Sequence, residues 1–263
     1  MAHTSGRRSG HHSLPRFFVP ADAVAGGMIR FSADQALQIR RVLRLATGAH
    51  VVVCDGTGAE LIAELSMTAW DTYGRVAESR PGRPEPRCVV RLCQSALRGE
   101  QFTWLLQKGT ELGVSTFVPV IFGRTQPADY TARLERYAAI VREAAEQCER
   151  SRLPAIEPVQ SLDRVLNRAG DMLMLGETPD RSLVQRFLLD EREEAQSLRE
   201  AATPGARRVD LLVGPEGGLT LDERAKAHAA GFLPVSLGAR ILRSETAGLV
   251  ASALVLAANG DLG

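Results

Sequence analysis

The spacing of apolar and polar residues changes character along the chain. Residues 1–13 are polar, basic and without period, and read as a disordered tail or an expression remnant. Short alternating runs then predict strands at Arg16–Val19, His50–Cys54, Ala59–Leu65 and Tyr73–Glu78. The middle pair brackets Asp-Gly-Thr-Gly, a hairpin signature. Ala33–Arg44 instead has a helical period, with Ser32 placed to cap it. Ala36, Ile39, Val42 and Leu43 fall on one face of it, and Gln38, Arg41 and Arg44 on another. The first eighty residues therefore predict a small β-rich unit carrying one helix.

Residues 80–86 read Arg-Pro-Gly-Arg-Pro-Glu-Pro, and prolines at this density continue neither a helix nor a central strand. Residues 81–87 are expected to link two domains, 14–80 and 88–263. Beyond them the spacing predicts strands at Cys88–Gln94, Thr116–Phe122, Asp171–Leu175, Val209–Val213 and Pro234–Leu237. Helices are predicted at Glu100–Leu112, Arg133–Arg150, Ser182–Ala202, Leu221–Ala230 and Glu245–Ala258. This alternation implies an α/β fold, a parallel sheet with helices on its faces. The last helix is apolar nearly all round and must be buried.

Composition narrows the possible chemistry. With 44% hydrophobic residues in 263, wholesale disorder is excluded. A net charge of +1 argues against binding nucleic acid by overall charge, but not against a local basic surface. The apolar run Ala247–Ala258 is too short to span a bilayer. No apolar stretch follows Arg7 and Arg8, so the cytoplasm is the expected compartment. Cys54, Cys88, Cys93 and Cys148 form no C-x-x-C pair, and most histidines lie in the tail, so neither a metal site nor disulfides are expected. Dinucleotide, P-loop and nucleophile-elbow motifs are missing.

In α/β sheets, ligands bind beyond the carboxyl ends of the strands. Three glycine-containing turns directly follow predicted strands: Leu175-Gly176-Glu177, Gly214-Pro215-Glu216-Gly217-Gly218 and Leu237-Gly238-Ala239-Arg240. Together they suggest a composite pocket. Ser244 can cap the last helix, with Glu245 in its first turn. Arg240 and Arg243 sit just before that buried helix and need partners, whether a carboxylate, an anionic ligand or an RNA phosphate.

Val213–Glu223 (VGPEGGLTLDE) and Leu237–Ala247 (LGARILRSETA) resemble the bacterial 16S ribosomal RNA uracil-N3 methyltransferases of the SPOUT superfamily. Lys108–Gly113, Arg124 after a strand, Glu146–Arg150 with Pro154, Arg41–Arg44 and Gly260–Gly263 are similar too. The chain departs from the pattern at Gln38, where the family often carries a histidine. The resemblance implies a PUA-like N-terminal β-barrel for RNA and a C-terminal α/β domain tied in a trefoil knot. It also implies S-adenosylmethionine as cofactor, a homodimer, and one specific uridine of small-subunit rRNA as target. The implied cofactor residues are the three turns named above, extended through Ile241, Leu242 and Arg243, with Thr246 and Ala247.

Uracil N3 carries a proton. If its pKa lies two to three units above neutral, ionising it costs about 3–4 kcal/mol. Arg243 is the candidate for stabilising the anion, and Glu216 or Glu245 for the base. RNA contacts are expected from Arg16, Arg41 and Arg44 in the first domain, and from Lys108, Arg124, Arg150 and Arg152 in the second. Three alternatives stay open: a SPOUT enzyme acting on another RNA such as tRNA, a non-catalytic RNA-binding assembly factor, and a metabolic α/β enzyme using Gly214–Gly218 as an anion cradle.

Overall fold

The computed structural model describes residues 14–97, 99–125, 130–171, 183–190 and 196–262. The chain divides into two compact units, Met1–Arg83 and Pro84–Gly263.

The first unit holds β1 (Arg16–Phe18), β2 (Val24–Ala25), β3 (Met28–Arg30), β4 (His50–Cys54), β5 (Ala59–Met67) and β6 (Thr72–Pro81). Their order is β1-β4-β5-β6-β3-β2, with β1 parallel to β4 and the other pairs antiparallel. Period-two alternation puts Val51 and Val53 of β4, and Leu61, Ala63 and Leu65 of β5, into one core with Phe17 and Ile29. A register shift at Ile62/Ala63 bends the β5–β6 pair. Strand β6 runs past its predicted end to Pro81, which pairs with Ala59.

Helix α1 (Ala33–Leu37) opens on a capping box between Ser32 and Gln35. The helix expected through Arg44 widens into a π-helical turn over Gln38–Val42, where Leu43 N–H donates to the Gln38 carbonyl at 2.9 Å. The extra residue rotates the apolar face, so Ile39 is buried while Val42 is 72% exposed. Arg16, expected at RNA, is instead internal. It pairs with Glu60 at 2.8 Å, with both side chains under 5% exposed, and donates to Cys54 Sγ. An arginine in a strand facing the core requires such a partner.

The second unit is a parallel sheet of β7 (Val89–Ser95), β8 (Thr116–Ile121), β9 (Ala155–Ile156), β10 (Gln160–Ser161), β11 (Val184–Leu189), β12 (Arg208–Val213) and β13 (Leu233–Val235). The order is β10-β8-β7-β12-β11-β13, with β9 also pairing β8. Its helices are α2 (Gly99–Leu112), α3 (Leu134–Gln147), α4 (Leu162–Asp171), α5 (Leu198–Ala201), α6 (Leu221–Ala229) and α7 (Ser244–Ala258). Alternate strand residues feed two cores. Val90, Leu92 and Leu211 pack with Phe102, Leu105 and Val255. Cys93, Val118, Leu188 and Leu212 pack with Val165, Leu166 and Ala227. Burial on both faces explains the nearly continuous apolar character of these strands.

Three expectations are corrected here. The helix expected over Ser182–Ala202 is replaced by strand β11 and the short α5. Phe187, Leu188 and Leu189 sit between β12 and β13, bonded on both sides, and this pairing overrides the helical propensity of the charged flanks. Asp171, the expected start of a strand, ends helix α4. The rest of that strand, with Leu175, Gly176 and Glu177, lies outside the described residues. Arg150, expected at RNA, is 10% exposed at its side chain. It pairs with Glu85 and donates to the carbonyls of Thr110 at 3.0 Å and Val114 at 2.9 Å. It thereby satisfies acceptors at the negative end of α2.

Candidate active site

Because β11, β12 and β13 are parallel, their carboxyl ends share one edge of the sheet. Beyond that edge lies a cleft of about 410 Å³. Its walls come from three segments at the strand ends: Leu189–Asp190 at β11, Val213–Leu219 without Gly217 at β12, and Val235–Ser244 at β13. Arg224 and Ala247 complete the lining. The volume falls within the range of small-molecule sites.

Local chemistry shapes both long loops. A Cβ on Gly214 would stand 2.5 Å from Leu219 Cδ1, so with any larger residue there the Leu219 side chain would have to shift. Gly218 N–H donates to the Pro215 carbonyl at 2.8 Å, closing the turn. Thr220 and Glu223 then start α6 with a capping box. Glu223 Oε1 also accepts from Gly123 N–H at 2.7 Å, tying in the loop after β8. In the second loop, Gly238 has φ +108°, a conformation that L side chains rarely adopt.

Ser244 does not cap α7 as expected; Arg243 occupies the N-cap position. The Ser244 hydroxyl donates to the Gly214 carbonyl at 2.6 Å and accepts from Gln94 Nε2 at 2.7 Å. Gln94, at the end of β7, is 1% exposed. This chain of hydrogen bonds clamps the two loops together. Helix α7 approaches Gln94 closely because residue 248 is glycine: a Cβ there would lie 2.5 Å from Gln94 Oε1.

Of the residues expected at the cofactor, Gly214, Pro215, Glu216, Gly218, Leu237, Gly238, Arg240, Ile241, Leu242, Arg243 and Ala247 line the cleft. Gly217 and Thr246 do not; the Gly217 carbonyl instead accepts from Arg124 Nη1 at 2.8 Å. Leu189, Asp190, Ser236 and Arg224 also line the cleft, outside the expected set. The signal for the first two was the apolar run Phe187–Leu189 followed by Asp190. Asp190 is buried and paired with Arg224 at 2.9 Å, which fixes one wall.

Arg243 and Glu216 are exposed at the cleft, and Glu216 accepts from Gln101 Nε2 at 3.3 Å. Glu245 is 6% exposed and does not line the cleft; its Oε2 has no hydrogen-bond partner among the described residues. Of the cations expected at RNA, Arg41, Arg44, Arg124 and Arg152 are exposed. Lys108 is half-buried and paired with Glu111 at 2.8 Å.

Fold and site together define an RNA methyltransferase domain, and residues 83–256 match that family. The chain is 33% identical to ribosomal RNA small subunit methyltransferase E of Synechocystis over 240 residues, covering 91% of this chain and 76% of that protein. It is 29% identical to the Bacillus subtilis protein of the same name, over 84% of this chain and 86% of that one. A methyltransferase from Legionella pneumophila, solved with bound S-adenosylmethionine, superimposes with a TM-score of 0.80 at 26% identity, over 94% of this chain and 98% of that one. Ribosomal RNA small subunit methyltransferase E from Neisseria gonorrhoeae, bound to the same cofactor, gives 0.78 at 29% identity, over 91% and 95%. The present chain belongs to the ribosomal RNA small subunit methyltransferase E family.

Proposed function

We propose that this protein methylates N3 of one uridine in 16S rRNA of the small ribosomal subunit, with S-adenosylmethionine as donor and a homodimer as the working form. The observation that carries the reading is the convergence of the two glycine-containing loops on one cleft. The residues there suit the donor. The cleft has room for a nucleoside, its apolar walls include Leu189, Val213, Leu237 and Ala247, and main-chain groups of both loops line it. When bound, the donor supplies a methyl group on a positively charged sulfur.

The protein's own task is to hold that donor and to manage the proton on uracil N3. Arg243, at the cleft, stabilises the negative charge that develops on the base. Of the two carboxylates Glu216 is the proposed base, a reading supported by its place in the cleft lining, whereas Glu245 lies outside that lining in the first turn of α7, where a negative charge suits the positive helix end. Phosphate contacts fall to Arg41, Arg44, Arg124 and Arg152, which the structure leaves exposed. Among the described residues no helix is long and apolar enough to cross a membrane.

Methylation of 30S subunits by Arg243→Ala, Glu216→Gln and Glu245→Gln tests these roles. Arg243→Ala is expected to lose about 100-fold or more in turnover. Glu216→Gln should fall with it, while Glu245→Gln stays active. Full turnover in all three, with unchanged affinity for the donor, refutes the assignment. Sedimentation tests the dimer.

A further inference from the structure

We propose that Trp70 is a stacking platform for an unpaired base of the RNA substrate, set beside arginines that meet the phosphate backbone; this rests on the RNA-methylating reading above. Trp70 is 91% exposed, more than any other large apolar side chain among the described residues. It lies in the turn between β5 and β6, and that turn is tightly pinned. Thr68 N–H donates to the Asp71 carbonyl at 3.0 Å. Thr68 Oγ1 accepts from the N–H groups of Trp70 at 3.3 Å and Asp71 at 3.0 Å.

Arg40, from the π-helical turn, closes the arrangement. Its Nη2 donates to the Thr68 carbonyl at 2.8 Å and to the Asp71 carbonyl, and its Nε to Thr72 Oγ1 at 2.9 Å. The hairpin tip and the helical segment are thereby fastened to each other. All of these acceptors are uncharged, so none of them neutralises the guanidinium. Arg41 and Arg44 are exposed on the same segment and make no ion pair among the described residues. Asp34 and Asp71 are the nearby carboxylates in sequence, which leaves these two segments net positive.

A flat side chain with two torsions, held on a rigid turn, gives contact area at little entropic cost. Stacking on aromatic faces next to cationic side chains is how proteins grip unpaired bases, because every base has a π face. Exposed Arg41 and Arg44, without ion pairs among the described residues, suit a phosphate backbone, which favours nucleic acid.

The test uses the full chain carrying Trp104→Phe, which leaves Trp70 as its one indole. Unmethylated 30S subunits and protein-free 16S rRNA are titrated in while indole emission is read. Affinities are compared for the parent, Trp70→Ala and Trp70→Phe, and donor affinity is measured by calorimetry. The expected result is quenching by both RNAs, RNA binding weakened about 5- to 150-fold by Trp70→Ala and largely restored by Trp70→Phe, and unchanged donor affinity. Trp70→Ala binding 16S rRNA within twofold of the parent, or emission that does not respond when the complex forms, overturns the proposal. A loss confined to 30S subunits assigns the patch to a ribosomal protein and overturns it equally. A parent that binds neither RNA overturns the substrate reading and this proposal with it.

Discussion

Replacing Ser244 by alanine is the most revealing single change in the cleft. It deletes one hydroxyl but two hydrogen bonds, from Gln94 Nε2 and to the Gly214 carbonyl. Each is worth about 0.5–1.5 kcal/mol net. Gln94 is 1% exposed, so its stranded N–H adds a penalty of about 1–3 kcal/mol. The clamp between the loops is thus worth about 2–6 kcal/mol. Part of this appears as folding stability, at about 2–4 °C in Tm per kcal/mol for a unit of this size. The remainder frees the loops, and donor affinity falls with the fraction of molecules in the competent arrangement. We expect S-adenosylmethionine to bind Ser244→Ala about 10- to 100-fold more weakly in a calorimetric titration. Gln94→Leu acts through the same chain of bonds, so adding it to Ser244→Ala should cost little more. Ser244→Ala binding the donor within twofold of wild type, or fully additive effects in the pair, would refute the reasoning.

Other expectations follow from particular contacts. Gly248→Ala puts a Cβ 2.5 Å from Gln94 Oε1, so it should destabilise by about 1–3 kcal/mol in denaturant melts and weaken donor binding; unchanged stability contradicts the close approach. Arg16→Ala leaves Glu60 paired with Arg80 and removes one charged hydrogen bond from the core, so it should cost about 1.5–3 kcal/mol, seen as a lowered Tm, with donor affinity intact. Burial pushes the Cys93 thiol up to about 12, and burial with the Asp261 carboxylate pushes Cys88 up to about 11. Both stay protonated in the folded chain while the unfolded thiols ionise near pH 9. Their contribution is therefore full below pH 9 and is lost as pH climbs toward 11–12, at up to about 1.4 kcal/mol per pH unit for each thiol. Urea unfolding of Cys93→Ala between pH 8 and 10.5 should show a shallower decline than the parent; equal slopes would contradict the burial effect.

The two loops after β12 and β13 were legible because their signals are local. Glycine, proline and a capping pair lie within a few residues, and strand ends in an α/β sheet point to ligands. The third wall was not. Asp171–Leu175 and Phe187–Leu189 are rival apolar runs in one segment, and the acidic, helix-favouring stretch after Leu189 masks the strand that precedes it. Only its pairing with β12 and β13 decides the matter, and that pairing is invisible to local periodicity. Arg16 and Arg150 were misread for a related reason. Their partners Glu60 and Glu85 lie 44 and 65 residues away, so an internal ion pair and a surface cation look alike in sequence. The break in the first helix reflects a π turn, which no spacing rule announces.

The role proposed for the cleft at the ends of β11, β12 and β13 is to present a methyl donor to a uridine of small-subunit rRNA. Mass spectrometry of nucleosides from 16S rRNA, after 30S subunits lacking the modification are incubated with the protein and labelled S-adenosylmethionine, tests it most directly. Label is expected in 3-methyluridine, at about one methyl per subunit, formed about 100-fold or more slowly by Arg243→Ala. Label in a different nucleoside, or none while the donor binds, would contradict it.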